Sequence, residues 1–182
     1  MTAVKFLMTI SFFLLITGSR AQMKPFSANE VVTQARAEAA KVHKNIFIIF
    51  HASWCGWCHK MDAAMNDNSI KQFFDKTYVI KHLTIDESPG KKNLENPGAA
   101  ELRTKYKGDK QGIPYWFIID ANGKLLADSR LHSDDGKVTG NNVGCPAQPD
   151  EVNYFISVIK KTSGLNDMQL ALIQERFSKN GE

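Results

Sequence analysis

Two cysteines separated by two residues, in Trp54-Cys55-Gly56-Trp57-Cys58, are the residues of this chain best suited to covalent chemistry. They follow the apolar run Ile46-Phe47-Ile48-Ile49-Phe50 and precede the segment His59 to Asn66, which reads as helix. A Cys-x-x-Cys pair in the first turn of a helix meets unpaired backbone N–H groups and the positive end of the helix dipole, and both stabilise a thiolate. Cys55, nearer the helix start, is the expected attacking sulfur. Cys58, one turn on, is placed to attack a mixed disulfide formed at Cys55 and to release the reduced substrate.

The same spacing serves other chemistry. A Cys-x-x-Cys pair can hold zinc, and His59 completes the Cys-x-x-Cys-His spacing of a c-type haem attachment site. A haem site asks for a second axial ligand and a largely helical wrap, whereas strand-like sequence surrounds this motif. Cys55, Cys58, His59 and Cys145 make a zinc set by ligand type only if folding brings Cys145 close. A further alternative is a disulfide that only staples a binding or chaperone module. The context favours a redox dithiol that uses no metal and no organic cofactor.

Gly112-Ile113-Pro114 stands immediately before a second continuous apolar run, Tyr115-Trp116-Phe117-Ile118-Ile119, of the kind seen in strands covered on both faces. An X–Pro bond at a strand entry can be cis, which would leave the Ile113 backbone free to pair with a bound peptide; a plain strand-entry proline is the alternative. Trp54 and Trp57 flank the thiols as an apolar contact surface for peptide substrates, with core packing the other reading for Trp54. Of the five histidines, His51 and His59 are near enough in sequence to the thiols to move their protons.

With Ala52-Ser53-Trp54-Cys55-Gly56-Trp57-Cys58 in hand, and Ile113-Pro114 further along, the chain resembles the thioredoxin superfamily, specifically its exported bacterial thiol–disulfide oxidoreductases, from about residue 29 to 161. The resemblance implies an α/β thioredoxin fold, a central mixed β-sheet flanked by helices, with Cys55 as nucleophile and Cys58 as resolving thiol. It also implies a cis-proline at Pro114 lining a substrate groove, to which Trp54, Gly56, Trp57 and Ile113 contribute. Protein or peptide disulfides are the implied substrates, and a membrane thiol reductase the implied electron donor; oxidation would instead call for a disulfide donor. Two departures stand out. The family's Gly-Pro between the cysteines is Gly56-Trp57 here, so the potential is not inherited from the pattern. Ile49 stands where many thioredoxins carry a buried aspartate, which leaves the proton acceptor for Cys58 to His51, His59 or water.

The elements that must hold these residues are legible from periodicity and caps. Ser27-Ala28-Asn29-Glu30 reads as a capping box opening a helix to about His43, with Val31, Ala35, Ala39 and Val42 on one face. Ile70 to Asp75 reads as a helical turn or two, Tyr78 to Asp86 as a strand, Glu87 to Pro97 as a loop, and Ala99 to Lys107 as a short helix stopped by Gly108. Asn122-Gly123 predicts a tight turn with positive φ at both residues, so that the next strand runs antiparallel to the Pro114 strand. Val152, Phe155, Ile156 and Ile159 repeat at helical spacing up to about Gly164. Asn166 caps a further helix from about 165 to 178, carrying Leu172, Ile173 and Phe177 and lying outside the resemblance. Leu131 to Pro149 reads as a long loop containing Cys145, which is expected to be a partly buried free thiol.

Lys5, the apolar segment Phe6 to Ile16 and Ser19-Arg20-Ala21 read as a signal peptide cleaved after Ala21, which directs the protein to the periplasm or outside the cell. Residues 22–182 then form one thioredoxin-like domain, expected to be a monomer. The net charge of +4 includes Lys5 and Arg20 of the leader, so the mature chain is closer to neutral than that figure and carries no basic signature for nucleic acid.

Overall fold

The first helix begins where Ser27 and Glu30 satisfy each other. The Glu30 N–H donates to the Ser27 hydroxyl at 3.2 Å, and the Glu30 carboxylate accepts from the Ser27 N–H at 2.7 Å. In the computed structural model, which describes residues 24–133 and 135–182, this capping box opens helix α1 (Ala28–Val42), which ends at His43 in the left-handed conformation. The expected leader, residues 1–21, lies outside the described residues. Ala28, Ala35 and Ala39 form the buried face, while Val42, expected to share it, is exposed: it is the last helical residue, and the chain turns away at His43.

Strand β1 (Asn45–His51) is paired on both sides: parallel to β2 (Tyr78–Thr84) and antiparallel to β3 (Tyr115–Ile119). With β4 (Leu125–Asp128) antiparallel to β3, the mixed sheet has four strands in the order β2-β1-β3-β4. The two unbroken apolar runs are the two central strands, covered on both faces as their sequences required. Phe47, Ile49, Trp116 and Ile118 meet α2 (Gly56–Met65), α3 (Lys71–Thr77), α5 (Pro149–Thr162) and α6 (Asp167–Ser178). Ile46, Ile48, Phe50 and Phe117 meet α1 and α4 (Ala99–Lys105). The expected mixed sheet flanked by helices, with an additional C-terminal helix, is therefore the observed architecture.

Helix α6 is part of the main core. Its N-cap is the expected Asn166, whose side chain accepts from the Gln169 N–H at 3.0 Å. Its buried face is Leu170, Ile173 and Phe177, not Leu172, which is exposed; the Phe177 ring lies 4.6 Å from that of Phe155.

Three local expectations are corrected. The stretch from Leu131 to Pro149 holds all of β6 (Val138–Asn142) and all but the first residue of β5 (Arg130–His132), a two-stranded antiparallel sheet, rather than a structureless loop. Its strands lack apolar alternation; the buried Asp128 carboxylate ties down β5, accepting from the Arg130 backbone and guanidinium and from His132, and β6 is held by pairing with β5. The loop from Glu87 to Pro97 holds a 3-10 helix, Pro89–Leu94, with Pro89 in its first turn, where no N–H is needed. In the Asp120–Gly123 turn only Gly123 has positive φ, because Asp120 Oδ1 accepts from the N–H groups of Asn122 and Lys124 and carries the reversal. Among the described residues no helix is long and apolar enough to cross a membrane.

Candidate active site

The central strand β1 delivers the chain to a turn in which the Cys55 N–H donates to the Ala52 carbonyl at 3.1 Å, and α2 starts at once. Cys55 is the N-cap of that helix. Its sulfur accepts from the Cys58 N–H at 3.1 Å, filling the capping role usually taken by a side-chain oxygen, and the two cysteines are joined by a disulfide with Cα atoms 5.2 Å apart. An unpaired helix-end N–H is thus already aimed at the sulfur that would carry negative charge in the reduced protein. Both sulfur-bearing residues are largely covered; the environment that separates them is the helix terminus, which acts on Cys55.

The strand-entry proline comes to the same place. The Ile113–Pro114 peptide bond is cis, and the Ile113 carbonyl oxygen lies 3.6 Å from Cys55 Sγ. Ala52, Cys55, Cys58 and Ile113 form one small apolar cluster at the end of the sheet. Trp54 and Trp57 stand outside it with more than half and half of their surface exposed, so the core-packing reading of Trp54 falls. Each ring is nevertheless fixed: the Trp54 indole N–H donates to the Asp86 carbonyl at 2.8 Å, and the Lys60 ammonium sits 4.9 Å from the centre of the Trp57 ring. Space beside Gly56 is open, with no atom within 4 Å of where a Cβ would stand. From Trp57 a cleft of about 500 Å³ runs past Ile113 and Pro114 to Asn142 and Gly144. A larger cleft, about 740 Å³, lies beside His43, Lys44 and Asn45 at the other end of β1, away from the thiols.

Neither sequence-selected histidine has a sulfur as its hydrogen-bond partner. His51 is hydrogen-bonded to Thr84 Oγ1 at 3.2 Å, and His59 donates to the Ser53 carbonyl at 3.0 Å. Burial, followed by the neighbouring His82, lowers the pKa of His51, so its neutral form is favoured. The His82 ring, 5.1 Å from that of His51, donates in turn to Asp62 at 2.8 Å, giving a polar chain from α2 to the edge strand. Ile49, six positions before Cys55, is packed in the core.

Sequence reasoning missed several neighbours of the thiols. Glu87, in the expected loop, is 3 % exposed and accepts two hydrogen bonds from Ser53. Asn142 bonds the backbone on both sides of the Ile113–Pro114 bond, and Lys60 links Trp57 to the Asn180 carbonyl at 3.0 Å. Nothing in their local sequence marks them, since each acts on a residue far away in the chain. Cys145 is a buried free thiol, as expected. Its sulfur accepts from the Asn180 side chain at 3.4 Å, and burial pushes its pKa up to about 12. Among the described residues no group of three His, Cys, Asp or Glu side chains is placed to hold a metal ion.

A family model described as thioredoxin-like matches residues 28–121, from α1 through the β3 strand. Among solved structures, the chain is similar to a disulphide isomerase from Xylella fastidiosa Temecula1, with 19% identity over 89% of this chain and 97% of that chain and a TM-score of 0.48. It is also similar to a DsbH oxidoreductase, with 23% identity, 87% and 95% coverage and a TM-score of 0.41. A third similar structure is the oxidised C-terminal domain of DsbD from Neisseria meningitidis, with 19% identity, 76% and 98% coverage and a TM-score of 0.44.

Proposed function

This chain belongs to the thioredoxin-like family, and from that premise we propose that it is an exported thiol–disulfide oxidoreductase that reduces disulfides in protein substrates. The observation that carries the reading is the Cys55–Cys58 pair at the start of α2, with a helix N–H on the Cys55 sulfur and the Ile113 carbonyl beside it.

In the reduced enzyme the Cys55 thiolate attacks one sulfur of a substrate disulfide. A Cys55–substrate bond forms, the substrate S–S bond breaks, and the departing sulfur takes a proton. Cys58 then loses its proton and its thiolate attacks Cys55 Sγ, forming the intramolecular disulfide and expelling the second substrate thiol. Two electrons have passed to the substrate, and a membrane thiol reductase restores the dithiol by the same exchange. Trp54, Gly56 and Trp57 receive the substrate on one side of the thiols, and the Ile113 and Pro114 backbone on the other. His51, held neutral by its surroundings, and His59 are the candidate proton carriers for Cys58, in place of a carboxylate at position 49. The leader at residues 1–21 places this chemistry in the periplasm or outside the cell.

The test is the protein of residues 22–182 with Cys55→Ser and, separately, Cys58→Ser, assayed for reduction of a protein disulfide. Loss of turnover in the first and a trapped mixed disulfide at Cys55 in the second are expected. Full activity with Cys55→Ser would leave the pair as a structural staple. The direction follows from the redox equilibrium with glutathione: a potential near about −270 mV marks a reductant and one near about −120 mV a disulfide donor.

A further inference from the structure

Glu87 is a buried charge that the exchange steps leave unused. It follows β2, is 3 % exposed, and directs both carboxylate oxygens at Ser53, two residues before Cys55. One oxygen accepts from the Ser53 backbone N–H at 2.6 Å, the other from its hydroxyl at 2.8 Å. Both donors are neutral, so the bonds satisfy the carboxylate without cancelling its charge. The neighbouring Asp86 adds a third tie, since its carbonyl holds the Trp54 indole while its carboxylate pairs with Arg103 of α4 at 2.7 Å. The segment after β2 is therefore the bracket on which Ser53 and Trp54 hang.

The charge stands close to the reacting sulfur. Two residues span at most about 7 Å, so a carboxylate bonded to the Ser53 N–H lies within about 10 Å of the Cys55 backbone, about one screening length at physiological salt. Burial by itself would raise the pKa of Glu87. The hydrogen bonds from Ser53, with the charges of Lys91 and His51, outweigh it and leave the pKa below the ordinary value, so the group is ionised at neutral pH. The other titratable groups facing this bracket are His59, on the Ser53 carbonyl, and Glu95, whose carboxylate accepts from the Glu87 N–H at 2.7 Å.

We propose that Glu87 is a positioning and tuning residue for the dithiol: its two bonds fix Ser53 and Trp54, and its negative charge opposes thiolate formation at Cys55, biasing the pair toward the reducing side. The inference rests on the exchange reading above. A less stable thiolate makes the reduced form less stable, and a less stable dithiol is a stronger reductant.

The experiment compares wild type, Glu87→Gln and Lys91→Glu in two readouts: the pH profile of Cys55 alkylation in the reduced protein, and the redox equilibrium with glutathione. Glutamine keeps the shape, since its carbonyl can accept from the Ser53 N–H and its amide can donate to the Ser53 hydroxyl. In Glu87→Gln the thiolate fraction of Cys55 below its pKa is expected to rise about threefold to tenfold. Measured above the Cys55 pKa, where the thiolate dominates the reduced form, the equilibrium should move toward the dithiol by a similar factor, and tenfold corresponds to about 30 mV for a two-electron couple. A folded Glu87→Gln protein with both readouts unchanged would overturn the proposal. Lys91 offers an independent check that does not depend on that variant folding, because its ammonium is 3.3 Å from Ser53 Oγ. Charge reversal there should lower the thiolate fraction and shift the equilibrium toward the disulfide; no response would show that charge at this place is not felt at Cys55 and would sink the idea. Failure of the exchange reading is separate: the wild-type pair would not equilibrate with glutathione at all, while the alkylation profiles would still report on Glu87.

Discussion

The side-chain amide of Asn142 donates to the carbonyl oxygen of Pro114 at 2.9 Å and, with the same nitrogen, to that of Gly112 at 2.8 Å. One amide thus straddles the Ile113–Pro114 bond from a hairpin strand that lies beyond the family-matched residues 28–121. Its oxygen is used as well, accepting from the Gly144 N–H at 3.0 Å. Gly144 has φ +59, and a Cβ there would stand 3.2 Å from the Pro114 carbonyl, so the strand approaches the proline loop as closely as a glycine allows. Asn142→Asp keeps the acceptor for Gly144 but turns a carboxylate oxygen toward two carbonyls. Stability should fall by about 2 kcal/mol in urea titrations. KM for a protein disulfide should rise several-fold with kcat changed less, because the groove wall is disturbed and the dithiol is not.

Removing the Phe177 side chain tests whether the last helix belongs to the core. Phe177 is fully buried, with Phe155 and Phe74 rings at 4.6 and 6.2 Å. Phe177→Ala should cost about 3–5 kcal/mol in chemical denaturation. A loss under about 1 kcal/mol would mean that α6 contributes little to the packing that covers the sheet.

Cys145 should be silent in the folded protein. With its pKa pushed up to about 12 by burial, its thiolate fraction at pH 8 is about one part in ten thousand. Alkylation of the fully reduced protein at pH 8, read by mass spectrometry, should label Cys55 and Cys58 and leave Cys145 until denaturant is added. Rapid labelling of Cys145 in the native state would contradict its placement against Asn180.

His51 should make stability pH-dependent in a defined sense. Its folded pKa lies below the ordinary value of 6.5, first through burial and then through His82. The unfolded chain therefore binds a proton that the folded one resists, and stability must fall as pH drops from about 6.5 toward the folded pKa. Urea midpoints between pH 8 and 5 should decline for the wild type and decline less for His51→Gln. Equal slopes would assign the loss to other groups.

Much of this protein was readable along the chain, for a physical reason. A capping box is closed between residues three apart, as at Ser27 and Glu30 or Asn166 and Gln169, so its partners sit together in the sequence as well as in space. The unbroken apolar runs of β1 and β3 announced strands buried on both faces, and the Cys55-x-x-Cys58 spacing placed two sulfurs across one helical turn. Export and the cleavage site are expectations from residues 1–21, which lie outside the described residues.

The rest was decided only when the sheet was assembled. Glu87 reaches Ser53 across 34 positions, Asn142 reaches Pro114 across 28, and Lys60 reaches Asn180 across 120. Polar residues in turn-rich sequence look alike until strand register and helix packing bring one of them against a backbone group that lacks a partner. The hairpin β5–β6 has no apolar alternation to announce it, and the tie that holds β5, the buried Asp128 carboxylate, shows only in the fold. The sequence by itself determined which two sulfurs stand at the start of one helix and which elements carry them, because those signals are local and repeat with the period of the backbone. The tertiary structure decided which side chains hold that site in place, because a buried polar group takes whichever distant partner the fold presents to it.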